Sequence, residues 1–210
     1  MKRNVGELVS GKIGNVVFVT NGKNCYVRSA PQRKPDSWTD QQIYYRFRIS
    51  KISELWRTLK SPKFVEIWNQ AAEDINCYAW FIKKNIKAFS IDGAVIDYVS
   101  LLVSDGSLIH MQNLTASLDP GTLYSVNLEW SNDEHLKKNR LNDKIWVMSC
   151  IDGVFSEITD TGLIRKDLQG SIQLPMSAPL LSDHAFIYVF ASSENNLQFT
   201  PSQCFKFSLN

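Results

Sequence analysis

Apolar positions recur with three different rhythms along this chain of 210 residues. The first is a period of two. In "NVVFVTNGKNCYVRS" two apolar runs flank Asn21-Gly22, the favoured centre of a two-residue hairpin turn because both of its positions need positive φ. That turn would set Phe18 opposite Cys25 and Val16 opposite Val27, with Val17 and Tyr26 on the other face. Both faces are then partly apolar. Gly11 and Gly14 lead into the hairpin through tight turns. Pro31 and Pro35 in "SAPQRKPDS" end any sheet and mark a linker.

The second rhythm is helical. Thr39 stands as an N-cap with Gln42 at the third helical position, a capping box. Ile43, Phe47, Ile52, Leu55, Trp56 and Leu59 then recur near every 3.6 residues. Ser61-Pro62 opens a second helix, with proline where a helix tolerates it best. Phe64, Trp68, Ala72, Ile75 and Ala79 form its stripe, which fades over residues 84–88. A lone hairpin is marginal in water, so these two antiparallel helices are expected to lie beneath it.

From Ser90 the period returns to two. Strands are expected near 94–103, 107–117, 122–130, 143–151, 163–174, 184–193 and 203–209. Asp105-Gly106, Asp119-Pro120-Gly121, Ser131-Asn132-Asp133, Asp152-Gly153 and Asn195-Asn196 separate them as turns. About seven short strands at this spacing predict an antiparallel β-sandwich of the immunoglobulin or fibronectin type III kind. "VNLEW" (Val126 to Trp130) reads as its second strand, and "FIYVFASSENN" as its sixth running into a loop. The predicted fold class is therefore α+β: a β-hairpin plus a two-helix unit, followed by the sandwich.

Charge sharpens the division. The net charge is +2, but residues 1–90 hold 16 Lys and Arg against 7 Asp and Glu, or +9, whereas residues 91–210 hold 7 against 14, or −7. Two modules are expected, a basic one over 1–90 and an acidic one over 91–210. Opposite halves can also attract one another between copies. No apolar run approaches the ~20 residues of a membrane span, and "MKRNVGELVSGKIGN" has no apolar h-region, so no secretory signal is expected. Cys25, Cys77, Cys150 and Cys204 are too scattered for a disulfide framework or a zinc site, which fits reduced thiols and cytoplasmic synthesis.

"GKIGNVVF", "YVRSAP", Gln41-Gln42, Arg46-Phe47, Trp56, Trp68 and "IDYVSLLVSDGSL" occur in an order that resembles a domain-of-unknown-function family abundant in Bacteroidetes genomes. Its members carry G-x-[VI]-G-x-V-V, R-S-x-P after a short hairpin, a helical pair and an S-x-G-x-L entry into a sandwich. "SNDEHLKKNRLND" departs from that pattern as a longer loop. The stretch from Pro35 to Trp68 also resembles a module of phage and prophage proteins, which implies a link to virus-like particles. Neither resemblance brings catalytic residues.

The residues themselves offer little chemistry. His110, His135 and His184 are isolated, without the spacing of a metal site. No G-x-S-x-G nucleophile elbow occurs, and Asp92, Asp105 and Asp152 precede glycines as turn residues. Gly11 and Gly14 lack the lysine and helix of a phosphate loop. No catalytic residue, metal or cofactor is expected. Two readings stay open beyond that. Val17, Val19, Tyr26, Trp38 and Trp80 are candidates for a protein interface, with self-association or other subunits as partners and a particle as the setting. Arg46, Arg48, Lys51 and Arg57, interleaved with aromatics, are candidates for nucleic-acid binding. A carbohydrate-binding sandwich is a third reading, from fold analogy alone.

Overall fold

A computed structural model describes residues 11–21, 24–32, 38–72, 75–119, 125–174 and 184–208, with the backbone alone at 20, 21, 24 and 25. The chain divides into two compact units, Met1–Thr39 and Asp40–Asn210. The division expected at residue 90 falls inside the second unit.

The first unit is an antiparallel sheet of three strands, β1 (Gly11–Ile13), β2 (Val16–Asn21) and β3 (Asn24–Ser29), in that order. The extra strand β1 arises because Gly14 adopts φ +61° between Ile13 and Val16, which pair. A side chain there would be strained. Across β2 and β3 the register differs from the expected one by two residues. Phe18 faces Val27, Val19 faces Tyr26, and Asn21 pairs with Asn24. The connection is therefore residues 22 and 23, which lie outside the described residues. This shift preserves each side chain's face, because strand side chains repeat every two residues. It also sets apolar opposite apolar, where the Asn-Gly centre would have set Val19 opposite Asn24.

In the second unit α1 (Asp40–Leu59), α2 (Pro62–Ala71) and α3 (Cys77–Asn85) precede the sandwich. The expected second helix is thus two. Its break falls where the Asn76 side chain accepts from the Ala79 amide at 2.8 Å and so caps a new helix. Ser61 caps α2 in the same way, accepting from the Phe64 amide at 3.2 Å, with Pro62 in its first turn. In α1 only the later turns are buried, through Ile52, Leu55, Trp56 and Leu59, while Ile43 and Phe47 are exposed.

Eight strands follow: β4 (Gln112–Leu118), β5 (Ser125–Ser131), β6 (Lys144–Ile151), β7 (Val154–Phe155), β8 (Thr159–Ile164), β9 (Gln169–Gln173), β10 (His184–Ser192) and β11 (Gln203–Ser208). One sheet has the order β4-β5-β9. The other has β11-β10-β6-β7, with β8 also on β6. All pairs are antiparallel. Three strands in A-B-E order face G-F-C with β7 and β8 on the C edge, the arrangement of an immunoglobulin-like sandwich. "VNLEW" and "FIYVFA" occupy the second and sixth positions of that scheme, as expected.

Two sequence stretches differ from the strands expected of them. Residues 163–174 split, because the chain makes a short 3-10 turn at Arg165–Asp167 and Leu168 takes φ +62°. The chain thereby leaves one sheet and joins the other. Residues 94–103 form no ladder. Side chains satisfy that backbone instead: Asn85 exchanges two hydrogen bonds with Leu102, Ser202 accepts from the Val103 amide, and the Trp68 indole donates to the Val103 carbonyl. Gly106 ends this segment against the β10–β11 loop, where a Cβ would lie 2.3 Å from the Phe199 carbonyl oxygen.

The second unit is three layers deep. Ile145 and Val147 on β6 and Ile187, Val189 and Ala191 on β10 face Val126, Leu128, Trp130 and Ile172 of the opposing sheet. Met148, Cys150, Tyr188 and Phe190, on the other face of the same strands, pack in one cluster with Trp56, Phe64, Trp68 and Phe81. Of the helical stripes expected to lie under the hairpin, Ile52, Leu55, Trp56, Leu59, Phe64 and Trp68 are instead buried in the core against the five-stranded sheet, whereas Ile43, Phe47 and Ile75 are exposed. Phe81 on α3, outside the expected stripe, is the centre of this cluster, with ring centroids 5.1 Å from Trp56, 5.7 Å from Phe64 and 5.0 Å from Trp68.

Helices and sandwich sharing one core should melt together. Phe81→Ala should lower the stability of residues 40–210 by about 3–5 kcal/mol. Urea unfolding followed by far-UV circular dichroism (helix and strand) and by tryptophan fluorescence should give coincident transitions. A helical transition separate from the sandwich transition would contradict the shared core.

Candidate interaction surfaces

Among the described residues, the strands of the first unit carry no core of their own. In its described strands no side chain is buried. Cross-strand partners define two faces. Lys12, Val17 and Arg28 form one row, with Val19 and Tyr26 beside them. Ile13, Val16, Phe18 and Val27 share the other face. This second face carries no charge, and Ile13 is 63% and Val27 59% exposed. Of the expected interface residues, Val17 and Val19 are half-buried and Tyr26 is exposed. The more exposed apolar face is therefore the one opposite to theirs. The signal that identifies it is β1: Ile13 joins this face only once Gly14 has turned the chain back.

Trp38 is exposed in the same unit. Trp80 belongs to the other. It is half-buried against the helical core, donates its indole N–H to Asp105 at 2.8 Å, and lies under the ammonium groups of Lys83 and Lys84 at 4.7 and 4.9 Å. Lys84 also pairs with Asp105 at 3.0 Å. Trp80 thus has intramolecular work, holding the 105–106 turn onto α3. Exposed aromatics occur instead at the start of α1, where Tyr44, Tyr45 and Phe47, together with the aliphatic Ile43, stand clear of the core.

The four basic candidates do not share a face. Arg46 and Arg57 are on one side of α1, with Arg48 and Lys51 roughly 120–180° round the helix from them. Arg48 donates to the Phe89 carbonyl at 2.6 Å, and Lys51 pairs with Glu54 at 3.0 Å. Two of the four are therefore committed locally.

His110, His135 and His184 are all exposed and on separate segments. Among the described residues no group of His, Cys, Asp or Glu could hold a metal ion, and no helix is long and apolar enough to cross a membrane. Burial pushes the thiols of Cys150 and Cys204 up to about 12, so neither is a thiolate near neutral pH. At pH 8 a disulfide reagent should leave both unmodified in the folded protein and react with them once urea is added. Peptide mapping of the labelled sites checks this; native labelling of Cys150 would mean that the core opens.

No protein-family model matches the chain, and no curated protein sequence does, so the motif resemblances above rest on their residues alone. Among solved structures, the rat CD45 extracellular region, domains d3–d4, is similar at 8% identity, with a TM-score of 0.32 and coverage of 47% of each chain. The Clostridium perfringens spore cortex lytic enzyme SleM is similar at 11% identity and a TM-score of 0.30, over 47% of this chain and 27% of that one. Titin kinase with its flanking domains is similar at 17% identity and a TM-score of 0.31, over 48% and 16%. In each case the likeness spans less than half of either chain.

Proposed function

We propose that this protein is a non-enzymatic structural subunit that joins copies of itself through the sheet of its first unit. One observation carries the reading: an ordered sheet of three strands with no buried side chain among those described. Such a sheet needs a hydrophobic face covered to be stable. The face of Ile13, Val16, Phe18 and Val27 is uncharged, so an equivalent face can cover it without electrostatic cost. The opposite face bears Lys12 and Arg28 and would repel its own copy.

Charge supports a second, separate contact, which would extend the face-to-face pairs. Met1–Thr39 holds 7 Lys and Arg against 2 Asp and Glu, and residues 91–210 are net negative. A basic unit meeting the acidic sandwich of a neighbour makes a head-to-tail contact, which builds rings or filaments. The resemblance of residues 35–68 to phage and prophage proteins makes a virus-derived particle the setting we propose.

Light scattering on the purified chain should give a mass several times 24.0 kDa. Val27→Asp places a charge in the apolar face and should reduce that mass toward the monomer, with the unfolding midpoint of residues 40–210 unchanged. A monomeric parent protein, or an assembly indifferent to Val27→Asp, would reject this role for the sheet.

A further inference from the structure

At one end of the sandwich, the β5–β6 loop, the β10–β11 loop and residues 107–109 close around a recess of about 240 Å³. It adjoins an open cleft of about 700 Å³, with which it shares Arg140, Asp143 and Gln198. The β5–β6 loop is "SNDEHLKKNRLND", the stretch that departs from the resembled family by its length. In sandwiches of this strand order, the loops after the second and the sixth strand (B–C and F–G) are the ones that variable domains use for binding; here that is an analogy of position.

Lining the recess is an ion pair taken entirely out of water. Arg165 is 0% and Asp143 1% exposed, with Arg165 Nε 3.3 Å from Asp143 Oδ2. Arg140 Nη1 lies 3.7 Å from the other carboxylate oxygen. Hydrogen bonding here is incomplete. Arg165 Nη2 donates to the Ile109 carbonyl, and the Arg165 carbonyl accepts from Trp130 and Asn132. Yet Arg165 Nε and Nη1, both Asp143 oxygens and Asn132 Oδ1 have no hydrogen-bond partner. They make up five of the six such buried side-chain atoms among the described residues. Burial pushes the Asp143 carboxyl above its ordinary range despite the two guanidinium groups. Three of these atoms are acceptors and Arg165 Nε faces Asp143 Oδ2 within the ion pair, so Arg165 Nη1 is the donor left over. Buried polar groups in native proteins are almost always satisfied, and this one marks a partner yet to be supplied.

The charge balance says what that partner is. Lys137, Arg140 and Arg165 line the recess against one carboxylate, Asp143. Two positive charges are left over. The adjoining cleft is different: Ser193, Asn195 and Asn139 line it together with Glu194, a wall of hydroxyl, amide and carboxylate groups that suits hydroxyls and repels a second anion.

We propose that this recess binds the single oxyanion, a carboxylate or a phosphate, of a small hydroxylated ligand of the sugar-acid or sugar-phosphate class. Arg165 and Lys137 hold the oxyanion, and the cleft around Ser193, Asn195 and Glu194 takes the hydroxyls. Glu194 at the mouth disfavours a polyanion, so nucleic acid is a poor fit. The site lies wholly within residues 40–210 and is independent of assembly through the first unit.

Calorimetric titration of the full chain with glucuronate, with glucose 6-phosphate and with neutral glucose tests it and separates the two sources of oxyanion. One of the two anions should bind saturably with a Kd below about 1 mM, and glucose should give no heat of binding. Arg165 is buried and its replacement endangers folding, so exposed Lys137 is the residue to change. Lys137→Gln should weaken the anion at least fivefold while leaving the unfolding midpoint in place. If neither anion titrates at 10 mM, if glucose binds as well as they do, or if Lys137→Gln leaves the affinity unchanged, the assignment is overturned.

Discussion

The second unit depends on two strands that are apolar on both faces. Along β6 and β10 nearly every residue is buried. A strand with one wet face needs one cover, whereas these need two. Fully burying a side chain such as Leu, Phe or Met is worth about 1.5–3 kcal/mol. An uncovered face bearing Met148, Cys150, Tyr188 and Phe190 would forfeit that several times over. The opposing sheet covers one face and the helices the other. Even the polar atom among these four is provided for, since the Tyr188 hydroxyl donates to the Tyr98 carbonyl at 2.8 Å. The extended segment between helices and sandwich, held by Asn85, Ser202 and Trp68, follows from the same need to close the core without leaving amides unpaired.

Much of this was legible in the residues. The apolar positions in "VNLEW" and "FIYVFA" and the Asp-Gly and Asn-Asn turns are enough to place most of the sandwich strands, and Ser61-Pro62 marks its helix start through local capping chemistry. The third layer was missed, since the helices were expected under the hairpin, yet a signal for it was present. "IWVM" and "FIYVF" are continuous apolar runs, and such runs belong to strands covered on both sides. A sandwich open to water would alternate more strictly. What did not show was whatever depended on distant partners. Residues 94–103 alternate like a strand, but their amides go to local turns and, at the end of the segment, to the side chains of Asn85 and distant Ser202. The hairpin register turned on cross-strand matching of Val19 with Tyr26, which outweighed the local preference of Asn21-Gly22. The candidate interface was half legible. Val17, Val19 and Tyr26 do share a face, but β1 and the bare face of Ile13 and Val27 needed the fold. The recess was the least visible, because Asp143 and Arg165 are 22 residues apart in the sequence and nothing in either neighbourhood announces the other.

The two units solve the problem of stability in opposite ways. Residues 40–210 bury two hydrophobic clusters within themselves, and one aromatic group, Trp56, Phe64, Trp68 and Phe81, ties helix to helix. The sheet of Met1–Thr39 leaves Ile13, Val16, Tyr26 and Val27 exposed. Surface of that kind is useful only in contact with something else. On the proposed function, stability and association fall to different parts of one chain, and a change in one need not disturb the other.

The shared core also sets how such a gene can be inherited. Sandwich domains of this strand order are readily shuffled between proteins, because most of them end where their strands end. This one does not. An exchange cut at residue 90 would deliver strands with one face stripped of its cover, and the recipient would gain a sticky fragment in place of a domain. Only a segment that begins near Asp40 carries both walls of the core. The helices are in that sense part of the heritable unit, and recombination would preserve them beside the sandwich even where they have no binding task of their own.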